Sequence, residues 1–598
     1  MNKINGFLYS RTLLFFVIAV LALTAQLFLL NKFIVVSFNY QYNSLAFKLY
    51  SAAIAFADAL VLLAVYWLLP QRRKGWTWLV FVLMTIYSIV QVLYYPTYHD
   101  IMPWSSFTYV QNVGAILIRS ALGEVRASHA LLLVPVAVLV VLYVKWRGNI
   151  AAEVTGGAKR VWMTVGCVLA YVLIHSALLA CSFNALVQQE GTIGQRVKGY
   201  TQLVASHTRY YLKYGFVAYG ARAAIHTVME NRSLDEVERC RVKDFLAAQP
   251  QYTDNVYGQA GKNLILIIVE SLNAWVIDLK LDGREVTPVL NKLCADSTAL
   301  VALHMKTQVK TGHSSDGHFM YNTGLLPLTT ESVAMNYGNR DYPALAKALK
   351  NYDSFAAICD AAHVWNQGET TFSYGFNRLY DFEELRPTLE QCDWVMDRAL
   401  LRRAPELLAQ ARQPFFAQIV TVNMHSPYDE LRDVPAGWVS KTKAYTRSVR
   451  NYLEATALFD QELGLFLDKI KNMGLYDNSV IVIASDHTER VDDAPKGRAS
   501  LSREGDDCVL IALNTGHGAR IDAIIGQVDV YPTILDVMGA NQYAWKGLGH
   551  SVLRGPSGAA AIAPDQVKGN VPAVVEKRLK EAWTIADLMI TRQYFKNR

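Results

Sequence analysis

The chain has 598 residues, with 58 Lys and Arg against 51 Asp and Glu, and 52% of its residues are hydrophobic. This length exceeds one ordinary domain, and the apolar content, with a mean hydropathy of +0.15, excludes a purely soluble protein. The formal net charge of +7 is partly explained by the flanks of membrane spans, so no nucleic-acid partner is expected.

Five apolar segments near the N-terminus are each long enough to cross a bilayer. One crossing needs about 17–25 residues, and a cleaved signal peptide would account only for the first segment. Lys and Arg in the short flanks number nine on one side and four on the other, which puts the N-terminus in the cytoplasm and the chain after about residue 184 outside. The predicted spans are residues 12–31, 50–70, 76–95, 130–146 and 161–183.

Two ionisable side chains, Asp58 and His175, fall inside the second and fifth predicted spans. Ionisable groups are costly within a membrane, so each needs a partner or a function there. The simpler interpretation is hydrogen bonding between helices, and a functional role is the alternative.

Composition changes again at about residue 260. Residues 184–260 are polar and helix-prone and end in AAQPQYTDNVYGQAGK, which is typical of a linker. We therefore expect a transmembrane domain over 1–183, a helical linker over 184–260 and an outer domain over 261–598.

The outer domain alternates apolar runs with helical patterns. Runs that are apolar on both faces are typical of strands in a parallel sheet covered by helices. The sequence therefore predicts an α/β domain with a largely parallel sheet. The apolar runs cover residues 263–270, 354–362, 414–425 and 478–487, and helical patterns cover 341–350 and 443–472.

Polar side chains follow directly on three of these runs: Glu270, His425, and the pair Asp486 and His487. Ligands bind beyond the carboxyl ends of the strands in open parallel sheets. If the three runs are neighbouring strands, the four side chains converge on one rim of the sheet. We expect a functional site there rather than four separate loop residues.

Two carboxylates and an imidazole are a ligand set that suits Mn²⁺ or Zn²⁺, with one position left for a fourth group. A serine hydroxyl in that position would lose its proton far more readily than in water. The stretch KTGHSSDGHF (310–319) can supply such a hydroxyl, which would attack phosphorus or sulfur and form a covalent ester.

Four segments carry a family resemblance: NLILIIVESLNAW, TGHSSDGHF, FFAQIVTVNMHSPY and LYDNSVIVIASDH. In order and spacing the chain resembles the lipoteichoic acid synthase family, phosphoglycerol transferases of the alkaline phosphatase/sulfatase superfamily. The stretch QVDVYPTILDVMG (527–539) is similar to a late strand-to-helix turn of that superfamily. The resemblance implies five membrane helices, a linker and an outer sulfatase-like catalytic domain in a bacterial cytoplasmic membrane.

The resemblance also implies roles for individual residues. Ser314 stands where the family has a catalytic Thr, and Glu270, Asp486 and His487 match its metal ligands. Phosphatidylglycerol is the implied lipid donor, and an envelope polymer or glycan is the implied acceptor. The implied cofactor is a divalent cation, with Mn²⁺ expected first and Zn²⁺ or Mg²⁺ as alternatives.

Two further positions match the substrate pocket of the family. His425 resembles a substrate-binding His, and Trp365 resembles a pocket aromatic. Gln367, two residues after Trp365, replaces an Arg that the family often carries. This departure removes a bidentate phosphate contact.

Several alternatives stay open from sequence. Ser315 or Thr311 could be the nucleophile instead of Ser314, and His313, His318 and His363 could be proton donors or ordinary loop residues. At the level of function, a phosphoethanolamine transferase of the same superfamily and a non-catalytic anchored binding protein are the alternatives.

Overall fold

The computed structural model describes most of the chain, and the helices, strands and contacts given below are those of the described residues. The described residues are 2–36, 45–68, 77–98, 101–102, 125–151, 157–180, 207–229, 233–250, 252–329, 331–360, 362, 364–385, 396–426, 428, 445–489 and 507–595. They form two compact units, and the described residues from 233 onward belong to the second unit.

The first unit contains five helices that are long and apolar enough to cross a membrane, which confirms the five predicted spans. Large apolar side chains such as Val141, Trp162 and Leu173 are exposed on its surface, as expected where lipid takes the place of water. The helices of this unit are α1 (Asn2–Val36), α2 (Leu45–Leu68), α3 (Thr77–Tyr98), α4 (Val134–Ala151), α5 (Gly157–Ala180) and α6 (His207–Met229), with a 3₁₀ turn at Ala127–Leu133.

Helix α6, in the middle of the predicted linker, packs within this unit and is broken at Gly215, whose φ is +82°. The carboxylate of Asp58 accepts hydrogen bonds from the N–H groups of Phe216 (2.6 Å) and Val217 (3.2 Å), just after the break. Before it, the Tyr50 hydroxyl donates to the Lys213 carbonyl at 2.7 Å. Asp58 thus makes interhelical hydrogen bonds, whereas His175 stacks on Tyr171, with ring centroids 4.3 Å apart.

The break in α6 lies midway along the apolar spans. Asp58 is near the middle of the span Phe47–Leu68, and Tyr87, whose ring meets Phe216 at 4.9 Å, is near the middle of Trp78–Tyr95. Unpaired backbone groups are costly at that depth. Asp58 satisfies two of them, which explains why a carboxylate is retained inside a span.

We expect Gly215→Ala to destabilise the membrane unit by at least about 2 kcal/mol, because the backbone there is left-handed and an added Cβ would collide with Asp58 Oδ2. Gly166→Ala in α5 is the matched control, since a Cβ there meets nothing within 4 Å. Thermal unfolding of the full chain in detergent measures both. Equal melting temperatures for the two variants would contradict this account of the break.

The second unit is built on a nine-stranded sheet, which confirms the predicted α/β domain with a largely parallel sheet. The strand order is β10-β4-β9-β8-β1-β7-β5-β6, with β11 paired to β4, and only β9 runs antiparallel to its neighbours. The strands of this sheet are β1 (Asn263–Val269), β4 (Leu300–Lys306), β5 (Asp353–Ile358), β6 (Arg378–Tyr380), β7 (Phe415–Val420), β8 (Ser479–Ser485), β9 (Asp507–Leu513), β10 (Ala519–Ile521) and β11 (Ile525–Gly526). Two separate hairpins pair β2 (Lys280–Leu281) with β3 (Arg284–Glu285) and β12 (Ala559–Ala563) with β13 (Gln566–Gly569).

Helices cover both faces of the sheet, so its strands are apolar on both sides. In β1, Leu264, Leu266 and Ile268 pack into one core and the alternating residues pack into the other. The helical pattern at 443–472 forms one long helix, whereas the pattern at 341–350 yields a single helical turn. The helices of this unit are α7 (Glu236–Ala247), α8 (Pro288–Ala295), α9 (Ser314–Thr323), α10 (Val333–Asn336), α11 (Leu345–Ala348), α12 (Gln367–Ser373), α13 (Phe382–Leu385), α14 (Met396–Gln410), α15 (Arg447–Asn472), α16 (Val530–Val537) and α17 (Ala573–Thr591).

The three strands that precede the predicted site residues are neighbours. Strand β1 lies between β7 and β8 and is parallel to both. Glu270, the 421–425 turn and Asp486 therefore emerge from one edge of the sheet, as the sequence predicted.

Candidate metal centre and nucleophile

Glu270 leaves β1 at the centre of the sheet and is held by the residue after it. The Ser271 hydroxyl donates to Glu270 Oε1 at 2.6 Å, and the Ser271 N–H donates to Asp486 Oδ1 at 2.7 Å. Ser271 has a φ of +50°, which is uncommon for serine. Its carbonyl accepts a hydrogen bond from Tyr452 at 2.7 Å, so one strained residue braces two carboxylates.

Asp486 and His487 leave β8 beside Glu270 and are almost fully buried, with 1% and 3% exposed. The His487 N–H donates to Asp486 Oδ1 at 2.6 Å, which directs the other carboxylate oxygen toward the imidazole. His487 Nε2 lies 3.6 Å from Asp486 Oδ2 and 3.5 Å from Glu270 Oε1. These three side chains form a compact buried cluster.

Ser314 opens helix α9 and places its hydroxyl on this cluster. Ser314 Oγ lies 3.1 Å from Glu270 Oε2 and 3.3 Å from His487 Nε2. The residue is partly exposed while the three other side chains are buried. One face of this hydroxyl therefore contacts the cluster, and the residue can still be reached from solvent.

The charge of the cluster is unbalanced. Burial and the neighbouring Glu270 carboxylate together raise the pKa of Asp486 to about 7. Burial alone would lower the pKa of His487, but Asp486 and Glu270 outweigh it and raise that pKa to about 9. Burial would likewise raise the pKa of Glu270, yet His487 and His425 hold it below its usual value. Two buried carboxylates with one imidazole leave a site that favours a cation.

The donor set fits a divalent cation. Its two carboxylates and imidazole are ligands that such ions take, and the hydroxyl completes a set of four. The separations between their donor atoms, 3.1 to 3.6 Å, suit four ligands at bond lengths of about 2.0–2.2 Å. Glu270, Ser314, Asp486 and His487 are the residues that would hold it.

The alternative hydroxyls point elsewhere. Ser315 Oγ donates to the Gly312 carbonyl at 2.7 Å and lies 3.4 Å from Ser332 Oγ. Thr311 Oγ1 faces the Thr329 carbonyl at 3.4 Å. Among the hydroxyls of the predicted nucleophile loop, only Ser314 is within hydrogen-bonding distance of Glu270 and His487.

The flanking histidines differ in their surroundings. The ring of His313 meets that of His487 edge-on at 5.5 Å. His318 is buried, and burial lowers its pKa to about 4, so it is neutral at physiological pH and carries no imidazolium proton to donate. His363 lies outside the described residues.

The two predicted pocket residues lie on neighbouring loops. His425 directs Nδ1 to the Ser426 carbonyl at 2.6 Å and is close enough to Glu270 to lower the pKa of that carboxyl. Trp365 is half-buried, in a left-handed conformation that continues into Asn366. Asn366 donates to the Ala334 carbonyl at 2.9 Å, two residues after Ser332, which contacts the nucleophile loop. The structure brings His425 toward the cluster. Among the contacts given above, Trp365 is connected to the cluster indirectly, through the hydrogen bonds of Asn366 and Ser332.

A buried carboxylate that the sequence did not single out, Asp397, positions the loop that leads to His425. Asp397 Oδ1 accepts hydrogen bonds from the N–H groups of Val422 (2.7 Å) and Asn423 (3.1 Å), and the Asp397 N–H donates to Asn423 Oδ1 at 3.1 Å. Burial, only partly offset by these hydrogen bonds, raises the pKa of Asp397 to about 7, with Glu270 and Asp360 as nearby acids.

We expect Asp397→Asn to stabilise the protein at pH 8 and to leave its stability at pH 4 almost unchanged. The folded-state pKa lies above the unfolded value, so the stability from this carboxyl is fully present below about pH 4 and is lost as the pH rises through 7. The folded-state pKa lies about 3 pKa units above the unfolded value and each unit is worth about 1.4 kcal/mol, so the gain at pH 8 is on the order of 4 kcal/mol. Melting temperatures of both proteins at pH 4 and pH 8 test this, and an identical change between the two pH values in both proteins would contradict it.

Comparison with known proteins agrees with this architecture. The family model for the lipoteichoic acid synthase N-terminal domain matches residues 1–194, and the Sulfatase model matches residues 262–540. Lipoteichoic acid synthase 2 of Bacillus subtilis (strain 168) is 26% identical over 570 residues, covering 92% of this chain and 84% of that protein. Lipoteichoic acid synthase 1 of the same organism is 23% identical over 569 residues, covering 91% and 85%.

Among solved structures, the fold is similar to the integral membrane protein lipooligosaccharide phosphoethanolamine transferase A (EptA) from Neisseria meningitidis. The two are 14% identical with a TM-score of 0.53, and the match covers 91% of this chain and 99% of that one. The Sulfatase match, the five apolar helices and the similarity to lipoteichoic acid synthases identify a membrane-anchored phosphotransferase with a sulfatase-like domain. Within this class, the chain is lipoteichoic acid synthase-like, because residues 1–194 match the N-terminal domain model of those enzymes and most of its length is similar to the Bacillus subtilis synthases.

Sequence reasoning missed the residues that support the cluster from behind. Ser271 contacts the carboxylates of Glu270 and Asp486, and Gln527 contacts the Asp486 carbonyl. Tyr452 supports them indirectly, by donating to the Ser271 carbonyl. Ser271 directly follows a predicted ligand, which is a local signal. The other two approach from segments remote in sequence, and although Gln527 opens the quoted stretch QVDVYPTILDVMG, the sequence alone does not show that it reaches Asp486.

Proposed function

We propose that this protein moves glycerol phosphate from phosphatidylglycerol, through a covalent intermediate on Ser314, to an envelope polymer or glycan. Similarity to the lipoteichoic acid synthases supports the phosphotransferase class, and the site geometry supports the route. The observation that carries the proposal is the position of Ser314 Oγ, 3.1 Å from Glu270 and 3.3 Å from His487.

In the first half of the reaction, Ser314 Oγ bonds to the donor phosphorus, and the bond from phosphorus to the diacylglycerol oxygen breaks. Diacylglycerol leaves with a proton on that oxygen, and the serine gives up its own proton. In the second half, a hydroxyl of the acceptor bonds to phosphorus, the bond to Ser314 Oγ breaks, and the serine regains a proton.

A divalent cation bound by Glu270, Asp486 and His487 would favour the ionised serine and neutralise charge on the phosphoryl oxygens. We propose Mn²⁺ as that cation, because it suits a donor set in which carboxylate and hydroxyl oxygens outnumber the single imidazole nitrogen. The burial of the cluster keeps water from competing for these donors.

His425 and Trp365 would bind the glycerol phosphate group. Since His425 Nδ1 faces the Ser426 carbonyl, Nε2 is the ring nitrogen that would face a glycerol hydroxyl. Trp365 would provide an apolar wall. Gln367 is buried and uncharged, so the headgroup would be held with fewer ionic contacts than an Arg would supply.

The membrane unit supports a lipid donor. An active site tethered by membrane helices meets a lipid substrate at high effective concentration. The asymmetry of Lys and Arg in the flanks supports an outer location for the catalytic unit. We therefore assign the protein to the outer face of a bacterial cytoplasmic membrane.

The test uses the full chain in vesicles that contain phosphatidylglycerol labelled in the headgroup glycerol, with phosphatidylethanolamine vesicles in parallel. We expect diacylglycerol release from phosphatidylglycerol, inhibition by a chelator and recovery with added Mn²⁺. Turnover of phosphatidylethanolamine alone would favour the phosphoethanolamine transferase. Turnover of neither lipid, with no bound divalent ion, would favour the non-catalytic binding protein.

A further inference from the structure

Gln527 is a fully buried amide, 0% exposed, that lies behind the metal centre at the start of the turn leading into α16. Its Nε2 donates to the Asp486 carbonyl at 2.6 Å and to the Tyr321 hydroxyl at 3.0 Å. Its Oε1 accepts from the Gln308 N–H at 2.7 Å and from Thr307 Oγ1 at 3.3 Å. Both donors and both acceptor positions of the amide are therefore used.

The orientation of this amide is fixed by its partners. The Gln308 backbone N–H can only donate, and the Asp486 carbonyl can only accept. Reversing the side chain would set an amide nitrogen against an N–H and an amide oxygen against a carbonyl. A residue of this size with one donor end and one acceptor end is needed, and glutamine is the side chain that supplies both.

The partners of Gln527 lie on the elements that carry the site. The Asp486 carbonyl belongs to a proposed metal ligand, and Tyr321 lies on α9, which begins with Ser314. Tyr321 also donates to the Ser485 carbonyl at the end of β8. Gln308 leads into the loop that contains the nucleophile.

Helix α9 presses against the same carbonyl from another direction. A Cβ on Gly317 would overlap the Asp486 carbonyl oxygen, so the helix approaches this strand end as closely as a glycine allows. Gln527 and Gly317 together hold the backbone of Asp486 in one position. The separation between Ser314 and the ligands on β8 depends on that position.

We infer that Gln527 is a positioning residue that sets the geometry between the nucleophile helix and the metal ligands on β8. This inference rests on the proposed function. Gln527 has no exposed surface, so it acts through Asp486 rather than on the substrate. Groups that orient metal ligands in this way typically change metal affinity by about 10–100-fold when removed.

The test compares Gln527→Met with Asn263→Leu in the full chain. Asn263 is also a fully buried amide, hydrogen-bonded to Gln413 Oε1 and to the Phe415 N–H, both at 3.1 Å, but it lies at the opposite end of β1. Both variants lose buried hydrogen bonds, so we expect both melting temperatures to fall. Only Gln527→Met is expected to raise the Kd for Mn²⁺, by roughly 10–100-fold, in calorimetric titration.

A Kd for Gln527→Met within twofold of the unchanged protein, or an equal rise for Asn263→Leu, would overturn the inference. If Gln527→Met does not fold, Tyr321→Phe removes one hydroxyl from the same junction and is expected to raise the Kd in the same direction. If the unchanged protein binds Mn²⁺ and transfers glycerol phosphate, but neither Gln527→Met nor Tyr321→Phe changes the Kd for Mn²⁺, this inference alone is overturned. An unchanged protein that binds no Mn²⁺ overturns the proposed function as well.

Discussion

Ser314→Ala is expected to lower glycerol phosphate transfer at least about a thousandfold while the protein stays folded. The substitution removes the one atom that forms the bond to phosphorus. Ser314 is partly exposed, and its hydroxyl contacts the polar side chains of Glu270 and His487, so little packing is lost. A radiolabelled phosphatidylglycerol assay, normalised to folded protein by melting temperature, measures the loss.

Two further variants make this result specific. Ser315→Ala removes a buried hydroxyl that serves only the Gly312 carbonyl and Ser332, so it is expected to cost about 1 kcal/mol of stability and little activity. Ser314→Thr keeps the oxygen in place and is expected to stay active. Loss of transfer in Ser315→Ala that matches the loss in Ser314→Ala would contradict the assignment of the nucleophile.

Asp486→Asn is expected to weaken Mn²⁺ binding by at least about a hundredfold and to abolish transfer, because a ligand is lost rather than a group behind a ligand. The same change is expected to leave the metal-free protein as stable as before or more stable. Asp486 is buried beside a second carboxylate, Glu270, and replacing one of two like charges with a neutral amide relieves their repulsion.

The measurement is the rise in melting temperature on adding Mn²⁺, which reports binding to the folded state. The unchanged protein should show a rise, and Asp486→Asn should show none. Asp460→Asn is the matched control, since Asp460 is also a buried carboxylate but accepts hydrogen bonds from Val289 and Leu290, away from the cluster. An undiminished Mn²⁺ shift in Asp486→Asn would exclude Asp486 as a ligand.

The convergence of the site could be predicted because strand ends leave a local signal. Apolar runs that end in Glu270, His425 and Asp486 are readable in the sequence, and parallel neighbours bring such ends to one edge. The five membrane spans could also be predicted from local sequence, because a continuous apolar segment of about 20 residues is stable inside a bilayer. What the sequence left open was the order of the strands, and the structure places β1 between β7 and β8.

Other features depend on contacts that no local pattern records. Helix α6 carries Arg and Lys and does not read as a span, yet Tyr50 and Asp58 of a distant helix hold its broken backbone. The choice between Ser314 and Ser315 depends on where the first turn of α9 points each hydroxyl. Gln527 could not be identified because its partners lie more than 40 residues away in sequence.

The most direct measurement of the central claim is mass spectrometry of the full chain after exposure to phosphatidylglycerol and Mn²⁺ without an acceptor. We expect a glycerol phosphate ester on the peptide that contains Ser314. We expect no such ester in Ser314→Ala or in chelator-treated protein. Diacylglycerol release with no ester on Ser314, or an ester on another residue, would contradict it.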